Sequence, residues 1–229
     1  MRTLAIGHRG ASGHEPENSP AAFRRALTLG ADGVELDVHA TSDGVLLVHH
    51  DALIPGVGRI GDLPASAFRA SRLPNGEAIP TLPEILMICQ GMDVWVELKT
   101  LPAEADPILL AALASGPAPA SYAVHSFDHR IIARLGNRHP ELRRGVLLSS
   151  YLLDVLPALT GTGADTLWME TSFADEELVR RLHDGGVQLI AWTANDPAEI
   201  DRLLELGVDG ICGNYPDRIR AARESRSPG

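Results

Sequence analysis

Short apolar or β-branched runs alternate with longer segments of helical periodicity along most of the 229 residues, and this alternation limits the possible folds more than any other feature. It is typical of βα units arranged around a parallel sheet. The predicted core strands lie near residues 4–7, 33–38, 94–98, 123–125, 144–147, 166–169, 188–192 and 210–212. Eight such strands in a chain of about 200–250 residues predict an α/β protein with a closed (β/α)₈ TIM barrel, and a doubly wound open sheet is the alternative.

A repeated loop sequence supports the barrel. Residues 29–34 read Leu-Gly-Ala-Asp-Gly-Val, and residues 206–211 read Leu-Gly-Val-Asp-Gly-Ile. In each copy we expect a helix to end on the leucine, with glycine at the next position and a tight turn into the following strand. A fold made of repeated βα units requires repeated connections of this kind.

The segment at 45–49 interrupts the alternation. It follows the second strand after a short turn at 41–44, whereas a parallel neighbour would need a crossover of a dozen or more residues. The segment must therefore return antiparallel. A hairpin centred on residues 42–44 places His50 roughly opposite Asp37, at the C-terminal mouth where barrel enzymes place their chemistry.

The domain organisation follows from the same pattern. We expect residues 1–222 to form a single catalytic barrel domain. Residues 51–80 are rich in proline, glycine and small side chains, and we expect them to be a short insertion over the mouth. Residues 223–229 are polar, and we expect them to form a frayed tail.

Composition excludes several classes of partner. The formal net charge is −10 and no basic run is present, so a nucleic-acid backbone would be repelled. The N-terminal residues turn polar too soon for a signal peptide, and the longest apolar runs fall short of the about 20 residues that cross a bilayer. We expect a cytoplasmic protein, a monomer or homodimer, with reduced cysteines and without stable membrane insertion.

Three acidic residues mark the strand ends. Glu35 and Asp37 lie two apart on one predicted strand and so point to the same side, and Glu97 ends the next core strand. Two unit charges about 7 Å apart at an effective dielectric near 20 repel by roughly 2–2.5 kcal/mol. Lys99 can neutralise only one charge. A hard divalent cation such as Mg²⁺ or Ca²⁺ would remove the repulsion, whereas the alternative is ordinary ion pairing with helix arginines.

Histidines accompany these carboxylates. His8 ends the first strand and His50 follows the hairpin, and histidine exchanges protons near neutral pH. Arg9 offers a planar fork that matches phosphate oxygens, and Gly10 allows a ligand to approach the backbone. Asn18 is expected to cap a helix and to lock the loop that carries His8.

Two other residues near strand ends, Trp192 and Glu170, each have two possible roles. Trp192 either forms an apolar wall for a substrate or packs in the core, and Glu170 either contacts substrate or caps the next helix. Lys99 is expected to add a positive contact to a phosphate. Two further histidines, His14 and His39, lie near the predicted site. Four other histidines are expected to be structural or on the surface: His49, His129, His139 and His183.

Taken together, these motifs resemble the glycerophosphodiester phosphodiesterase family over nearly the whole chain. The matching segments are His8-Arg9-Gly10, Pro16-Glu17-Asn18-Ser19, Glu35-Leu36-Asp37-Val38, His50-Asp51, Glu97-Leu98-Lys99, Trp192-Thr193, Gly207-Val208-Asp209-Gly210-Ile211 and Tyr215-Pro216-Asp217. The resemblance implies a barrel and metal-dependent cleavage of a small-molecule glycerophosphodiester to glycerol 3-phosphate and an alcohol. It also implies that His8 and His50 are the acid/base pair and that Glu35, Asp37 and Glu97 are metal ligands.

The chain departs from the family pattern at three places. Ser19 stands where threonine is frequent, and Gly213 stands where threonine commonly precedes the terminal motif. Residues 52–58 read Ala-Leu-Ile-Pro-Gly-Val-Gly in place of a Pro-Thr-Leu-x-Arg-Thr-Thr-like run. Two alternatives therefore stay open. One is a phospholipase-type phosphodiesterase acting on lysophospholipids or phosphoinositides, and the other is a barrel that binds phosphate or metal without catalysis.

Overall fold

The protein is a closed barrel in the computed structural model, which describes residues 2–226. The strands are β1 Leu4–Gly7, β2 Gly33–Ala40, β3 Leu46–Val48, β4 Leu53–Ile54, β5 Gly58–Arg59, β6 Asp93–Thr100, β7 Tyr122–Ser126, β8 Arg143–Leu148, β9 Thr166–Glu170, β10 Gln188–Trp192 and β11 Gly210–Gly213. The α-helices are α1 Pro20–Thr28, α2 Leu82–Ile88, α3 Asp106–Ser115, α4 His129–Arg138, α5 Leu156–Thr162, α6 Glu176–Asp184, α7 Pro197–Leu206 and α8 Pro216–Arg226.

Eight parallel strands close the sheet. The order is β1-β11-β10-β9-β8-β7-β6-β2, and β1 also pairs with β2, so no free edge remains in this ring. An open doubly wound sheet would leave two edges, so the predicted (β/α)₈ barrel is confirmed. The repeated loops behave as expected, because Gly30 and Gly207 both follow a helix with positive φ, +72° and +75°.

The strands are buried on both faces. The outward side chains of β2, Val34, Leu36 and Val38, belong to the large apolar layer between strands and helices. A second, smaller cluster fills the barrel interior. It contains Ile6, Trp95, Ala123, Leu147, Trp168, Ile190 and Cys212. Since alternate residues of a strand face opposite sides, Glu35 and Asp37 must point into the barrel.

The antiparallel hairpin is confirmed with a shift in register. Its turn is centred on Asp43, since the Thr41 amide donates to the Val45 carbonyl at 2.9 Å. Pairing from that centre sets Val38 opposite Val48, and the His49 amide donates to the Asp37 carbonyl at 3.1 Å. His49 therefore lies opposite Asp37. The predicted partner, His50, is one residue too far along the chain.

The insertion at 51–80 packs on this hairpin. It contains the small hairpin of β4 and β5 and two 3₁₀ helices, Ile60–Asp62 and Ala65–Phe68. Leu47, Ile54, Ile60 and Phe68 form a small apolar cluster of their own. The apolar contacts of the insertion are with the hairpin of β2 and β3. Its expected position over the mouth therefore stays a prediction.

The last helix, α8, extends beyond residue 222, where the predicted domain ends. Residues 223–226 continue α8, and Arg223 is buried because its guanidinium pairs with Asp32 and donates to the Thr3 carbonyl at 2.8 Å. The expected tail is therefore wrong for 223–226, and 227–229 lie outside the described residues. Among residues 2–226, no helix has the length and apolar character that crossing a membrane requires.

Candidate active site

Three carboxylates from two adjacent strands converge at the C-terminal mouth. Asp37 of β2 is in register with Glu97 of β6, and Glu35 lies two residues before Asp37 on the same face. One oxygen of each lies within 4.8 Å of the others, and all three side chains are buried. Glu35 Oε1 has no hydrogen-bond partner among the described residues. A buried, unsatisfied carboxylate oxygen beside two more is a donor set that fits a metal ion.

The pKa values of the three carboxylates diverge. Burial raises the pKa of Glu35 well above its usual value, and the nearby Asp37 and Glu97 raise it further. Burial also raises the pKa of Glu97 to about 7, against the opposing effect of Lys99. At Asp37 the effect of burial is outweighed by Lys99 and Arg9, which hold its pKa at about 2. The protein alone therefore does not stabilise three negative charges here.

Lys99 lies between two of these carboxylates. Its Nζ is 3.0 Å from Asp37 Oδ1 and 2.7 Å from Glu97 Oε1. Lys99 follows Glu97 by two positions on β6, so both side chains point to the same side of the strand. One ammonium group thus contacts two carboxylates while carrying a single positive charge.

The loop after β1 places Arg9 beside the same cluster. Arg9 has a φ of +54° and Asn18 a φ of +56°, conformations that cost a non-glycine residue roughly 1–2 kcal/mol. The Arg9 amide donates to Glu35 Oε2 at 3.1 Å, and Arg9 Nε lies 3.2 Å from Asp37 Oδ2. The guanidinium also donates to Glu17 at 2.8 Å. The strained loop therefore aims both an amide and a cation at the carboxylates.

Asn18 holds the cluster, and Ser19 is the helix cap. The Ser19 hydroxyl accepts from the Ala22 amide at 3.0 Å, so the expectation that Asn18 caps α1 is wrong. Asn18 instead donates through Nδ2 to Asp37 Oδ2 at 2.7 Å. The backbone amide of Asn18 donates to the Arg9 carbonyl at 3.1 Å, and this bond holds the loop as predicted.

Gly10 serves packing against α1. It has a φ of +81°, and a Cβ at this position would lie 2.7 Å from the backbone carbon of Ala22. We expected Gly10 to admit a ligand to the backbone. The observed reason for glycine is the close approach of the loop to the helix.

His8 lies just beyond β1, at the edge of the cluster. Its Nδ1 is 2.8 Å from Asn214 Oδ1, and its Nε2 is 4.0 Å from Glu35 Oε2. An acceptor on Nδ1 fixes that nitrogen as the protonated one in the neutral ring, which leaves a lone pair on Nε2. Burial, with Arg9, lowers the pKa of His8 to about 4. The ring is therefore neutral at pH 7 and able to accept a proton.

His50 is more accessible than His8 and lines the same cavity. Its Nδ1 is 2.8 Å from Asp51 Oδ1, and 36% of its side chain is exposed. His39 secures this segment, because its Nε2 lies 3.0 Å from the His50 carbonyl oxygen. The prediction that His39 lies near the site is consistent with this contact, although the other ring nitrogen of His39 lies 3.1 Å from Thr100 Oγ1.

One histidine at the centre of the site was missed by the sequence reading. His125 of β7 is fully buried, in register with Glu97, and its Nε2 is 4.0 Å from Glu35 Oε1. Burial lowers the pKa of His125 well below its usual value. The sequence did contain a signal for His125. It ends a predicted core strand, as Glu97 does, and that strand lies two strands from β2 in the sheet.

A cavity of about 100 Å³ opens among these groups. Its polar side is formed by His8, Arg9, Glu35, His50, Glu97, Lys99 and His125. Its apolar side is formed by Phe127, Leu147, Trp168, Trp192 and Cys212. Trp192 packs edge to face on Phe127 with ring centroids 5.6 Å apart. Trp192 lines the cavity and also packs against the apolar cluster of the barrel interior, so the substrate wall and core packing both stay predictions.

Two residues predicted near the site have other partners. The Glu170 carboxylate accepts from the Ser172 amide at 3.1 Å and is the N-cap of a short 3₁₀ helix, Thr171–Phe173. His14 Nε2 lies 2.9 Å from Asp217 Oδ1. Neither side chain lines the cavity. The contacts of Glu170 are those of the capping alternative, and its substrate-binding role stays a prediction.

With this geometry in hand, the chain can be compared with known proteins. The sequence model of the "Glycerophosphoryl diester phosphodiesterase family" matches residues 8–218. The chain belongs to this family. Its members are phosphoric diester hydrolases, and the resemblance seen in the motifs is confirmed.

Individual members of the phosphodiesterase family align over almost their full length. A glycerophosphodiester phosphodiesterase of Caldanaerobacter subterraneus subsp. tengcongensis is 32% identical, with 96% of this chain and 97% of the relative covered. One of Bacillus subtilis is 27% identical over 97% of this chain and 87% of the relative. A phosphodiesterase of Oleispira antarctica, solved with sn-glycerol-3-phosphate, has a TM-score of 0.89 at 26% identity, with 97% of each chain covered.

One departure from the family pattern now has a physical reason. Gly213, where the family commonly has threonine, lies against the segment that follows β10: a Cβ there would be 2.1 Å from the Ala194 carbonyl oxygen. The Ala194 amide in turn donates to the Cys212 carbonyl at 2.9 Å. Threonine would not fit unless this connection moved, so glycine and the close loop go together in this chain.

Proposed function

We propose that the chain hydrolyses glycerophosphodiesters to glycerol 3-phosphate and an alcohol in a metal-dependent reaction. The observation that carries the proposal is one cavity lined by two of three converging carboxylates, two cationic side chains and the rings of His8 and His50. Members of the family carry this activity in their names, and the chain aligns with them end to end.

Charge complementarity favours a phosphodiester in this cavity. Arg9 and Lys99 both line it and can donate to phosphate oxygens, Arg9 through a planar fork and Lys99 as a point charge. Glu35, Asp37 and Glu97 would hold a divalent cation. Such a cation supplies positive charge that offsets the charge developing on the phosphoryl oxygens. Oxygen ligands alone would suit Mg²⁺ or Ca²⁺.

The two histidines divide the proton transfers. His8 is neutral at pH 7 and presents Nε2, so we assign it to remove the proton from the attacking hydroxyl. His50, whose Nδ1 is held by Asp51, then protonates the departing alkoxide. The attacker is either water or the glycerol 2-hydroxyl, and the second route passes through a cyclic phosphate that water opens. Cleavage in ¹⁸O-labelled water with a search for the cyclic product separates the routes.

The apolar side of the cavity would receive the carbon skeleton of the substrate. Phe127 and Trp192 form its rim, and Leu147 and Trp168 lie among its deeper lining residues. The cavity is small, about 100 Å³, so it suits a glycerol or small alcohol group, whereas an acyl chain would have to extend outside it.

A substrate panel tests the function. Purified protein, stripped with a chelator and then reloaded with Mg²⁺, should release glycerol 3-phosphate and choline from glycerophosphocholine and should lose activity again on chelation. Glu35→Gln should be inactive, and the matched surface variant Glu224→Gln should be unaffected. Faster cleavage of lysophosphatidylcholine would replace the proposal with the phospholipase alternative. Inactivity on every diester with metal bound would favour the non-catalytic barrel.

Three further properties stay predictions of the sequence. They are the single catalytic domain over residues 1–222, the cytoplasmic location and the monomeric or homodimeric state. Light scattering on the purified protein measures the oligomeric state, and fractionation of cells measures the location. The hydrolytic proposal depends on none of the three.

A further inference from the structure

The loop between β1 and α1, residues 8–19, begins at His8, the proposed proton acceptor, and ends at the cap of α1. Two of its non-glycine residues, Arg9 and Asn18, have positive φ, +54° and +56°. Strained backbone of this kind persists only where the surrounding structure over-determines it. The contacts that hold the loop from outside therefore decide where His8 lies.

The junction at which β11 ends and α8 begins, residues 213–217, supplies such contacts. The Gly213 carbonyl accepts the His8 amide at 2.9 Å, and the Asn214 carbonyl accepts the Gly13 amide at 2.9 Å. The Asn214 side chain also holds His8 Nδ1 through Oδ1 at 2.8 Å. Asn214 thus orients the His8 ring and holds the middle of the loop at the same time.

His14 adds a second connection between the loop and this junction. Its Nε2 lies 2.9 Å from Asp217 Oδ1, and its ring packs edge to face on Tyr215 with centroids 5.3 Å apart. The Tyr215 ring lies directly against Gly13, where a Cβ would be 2.3 Å from a ring carbon. Two consecutive loop residues are therefore fixed on the junction, one by close packing and one by a side-chain hydrogen bond.

The location of the His14–Asp217 pair separates it from the reacting atoms. Neither side chain lines the cavity, and they are 27% and 36% exposed. A partly exposed pair contributes little to the stability of a whole domain. An effect of this pair on the chemistry must therefore pass through the loop that carries His8.

A second histidine–carboxylate pair provides a matched comparison. His183 Nε2 lies 2.9 Å from Asp209 Oδ2, which precedes the other end of β11. This pair is also partly exposed, and it has the same chemistry and the same length. It differs in joining the end of α6 to β11, away from the loop of His8.

We propose that His14 is a positioning residue for His8: through Asp217 it fixes the β1–α1 loop on the junction and thereby keeps His8 Nδ1 on Asn214. Without the His14–Asp217 bond the strained loop relaxes, and the bond between His8 and Asn214 lengthens. The kinetic consequence rests on the proposed function, whereas the position of the His8 ring is measured without substrate.

NMR of histidine-¹⁵N-labelled protein is the first test. The Nδ1–H signal of His8 is assigned by its loss in His8→Gln. In His14→Ala this signal should move upfield and exchange faster with water, because its hydrogen bond weakens. It should stay in place in the matched control His183→Ala and in His14→Gln, whose amide still donates to Asp217. An unmoved His8 signal in His14→Ala would overturn the proposal.

Kinetics in two backgrounds are the second test. His14→Ala and Asp217→Ala should each lower kcat on glycerophosphocholine about fivefold, which corresponds to about 1 kcal/mol, and His14→Gln should retain most of the activity. In an Asn214→Ala background, His14→Ala should have no further effect, because the contact through which it acts is already removed. The same fivefold loss in both backgrounds would contradict the proposal. His183→Ala should keep the wild-type kcat.

Failure of this proposal is distinguishable from failure of the proposed function. Normal hydrolysis with an unmoved His8 signal in His14→Ala would remove the positioning role and leave the function standing. A displaced His8 signal in a protein that cleaves no diester would instead support the positioning role and remove the function. Circular dichroism verifies folding, and if His14→Ala is unfolded, Asp217→Ala removes the same bond and decides the outcome.

Discussion

Two acidic residues near the beginning of β2, three positions apart, differ in how completely they are paired. Asp32, just before the strand, accepts from the Ala5 amide at 2.8 Å and pairs with the guanidinium groups of Arg2 and Arg223. Glu35, three residues later, is more deeply buried and keeps one oxygen without a partner. The pairing at the N-terminal end joins β1, β2 and α8 to one another.

The difference in pairing indicates that Asp32 contributes to stability and Glu35 to function. A carboxylate with every partner supplied by the protein stabilises the fold, whereas one left unsatisfied destabilises it until a ligand arrives. The raised pKa values of Glu35 and Glu97 express this cost, since burial and like charge oppose ionisation there. The mouth therefore stores unfavourable energy that binding can release, and the N-terminal end does not.

The largest effect should come from the histidines at the mouth. His8→Ala and His50→Ala should each lower kcat by about 10²–10⁴-fold, because proton transfer loses its donor or acceptor. His183→Ala at the N-terminal end, where the ring pairs with Asp209, should leave kcat unchanged. Turnover of glycerophosphocholine measures the effect, with circular dichroism to verify folding. Near wild-type turnover in either mouth variant would refute the acid/base assignment.

Replacing each of these two carboxyl groups by an amide should affect stability at Asp32 and activity at Glu35. Asp32→Asn should lower the free energy of unfolding by about 1–3 kcal/mol, because the buried Arg223 loses its counter-charge, with kcat unchanged. Glu35→Gln should abolish metal-dependent turnover while the metal-free protein stays as stable as the wild type or gains stability. Urea unfolding and turnover of both variants measure this. A comparison in which both variants lose stability equally would contradict the separation.

Stability of the metal-free protein should depend on pH through Glu97. Burial raises the pKa of Glu97 to about 7 from 4.5, so the folded state retains a proton that the unfolded state loses. Between these values the free energy of unfolding should fall as pH rises, by on the order of 3 kcal/mol at most. Subtracting the curve of Glu97→Gln isolates this contribution from that of His8, whose lowered pKa acts in the opposite direction.

Metal and a surface variant provide the controls for that pH dependence. Saturating divalent cation should flatten the decline, because the ion competes with the proton for Glu97. Glu224→Gln, which alters an exposed pair with Arg220, should follow the wild-type curve. If the difference in unfolding free energy between wild type and Glu97→Gln did not change between pH 4.5 and 7, the pKa of Glu97 would not be raised in the folded protein.

The smallest effect should come from the residue that orients His8. Asn214→Ala removes the acceptor at His8 Nδ1, and a lost neutral hydrogen bond of about 1 kcal/mol corresponds to a five- to tenfold lower kcat. The acidic limb of the pH–rate profile should move as well, which a purely structural role would not cause. Asn75→Ala, in the insertion, should change neither quantity. An unchanged profile in Asn214→Ala would remove its positioning role.

The sequence determined the barrel and most of the carboxylate cluster because both depend on local periodicity. Alternation of strands and helices predicted eight parallel strands, and all eight are present. The spacing of two between Glu35 and Asp37 placed both carboxylates on one face, since a strand repeats every two residues. The end of the next strand then placed Glu97 beside them.

Closure of the barrel decided what the sequence left open. Asn214 meets His8 across 206 positions, and Arg223 meets Asp32 across 191, because β11 and α8 return beside β1. No local pattern distinguishes these pairs from surface residues. The position of His49 opposite Asp37 does not depend on closure, since the turn centred on Asp43 sets it locally.

His125 shows the same division most clearly. Its position at a strand end was visible in the sequence, whereas its orientation toward Glu35 and its enclosure by two indoles come from four different strands meeting in the barrel interior. Local periodicity fixes which side of a strand a residue faces. Only the closed barrel fixes which side chains share that interior, because burial and distance there are properties of strands far apart in the chain.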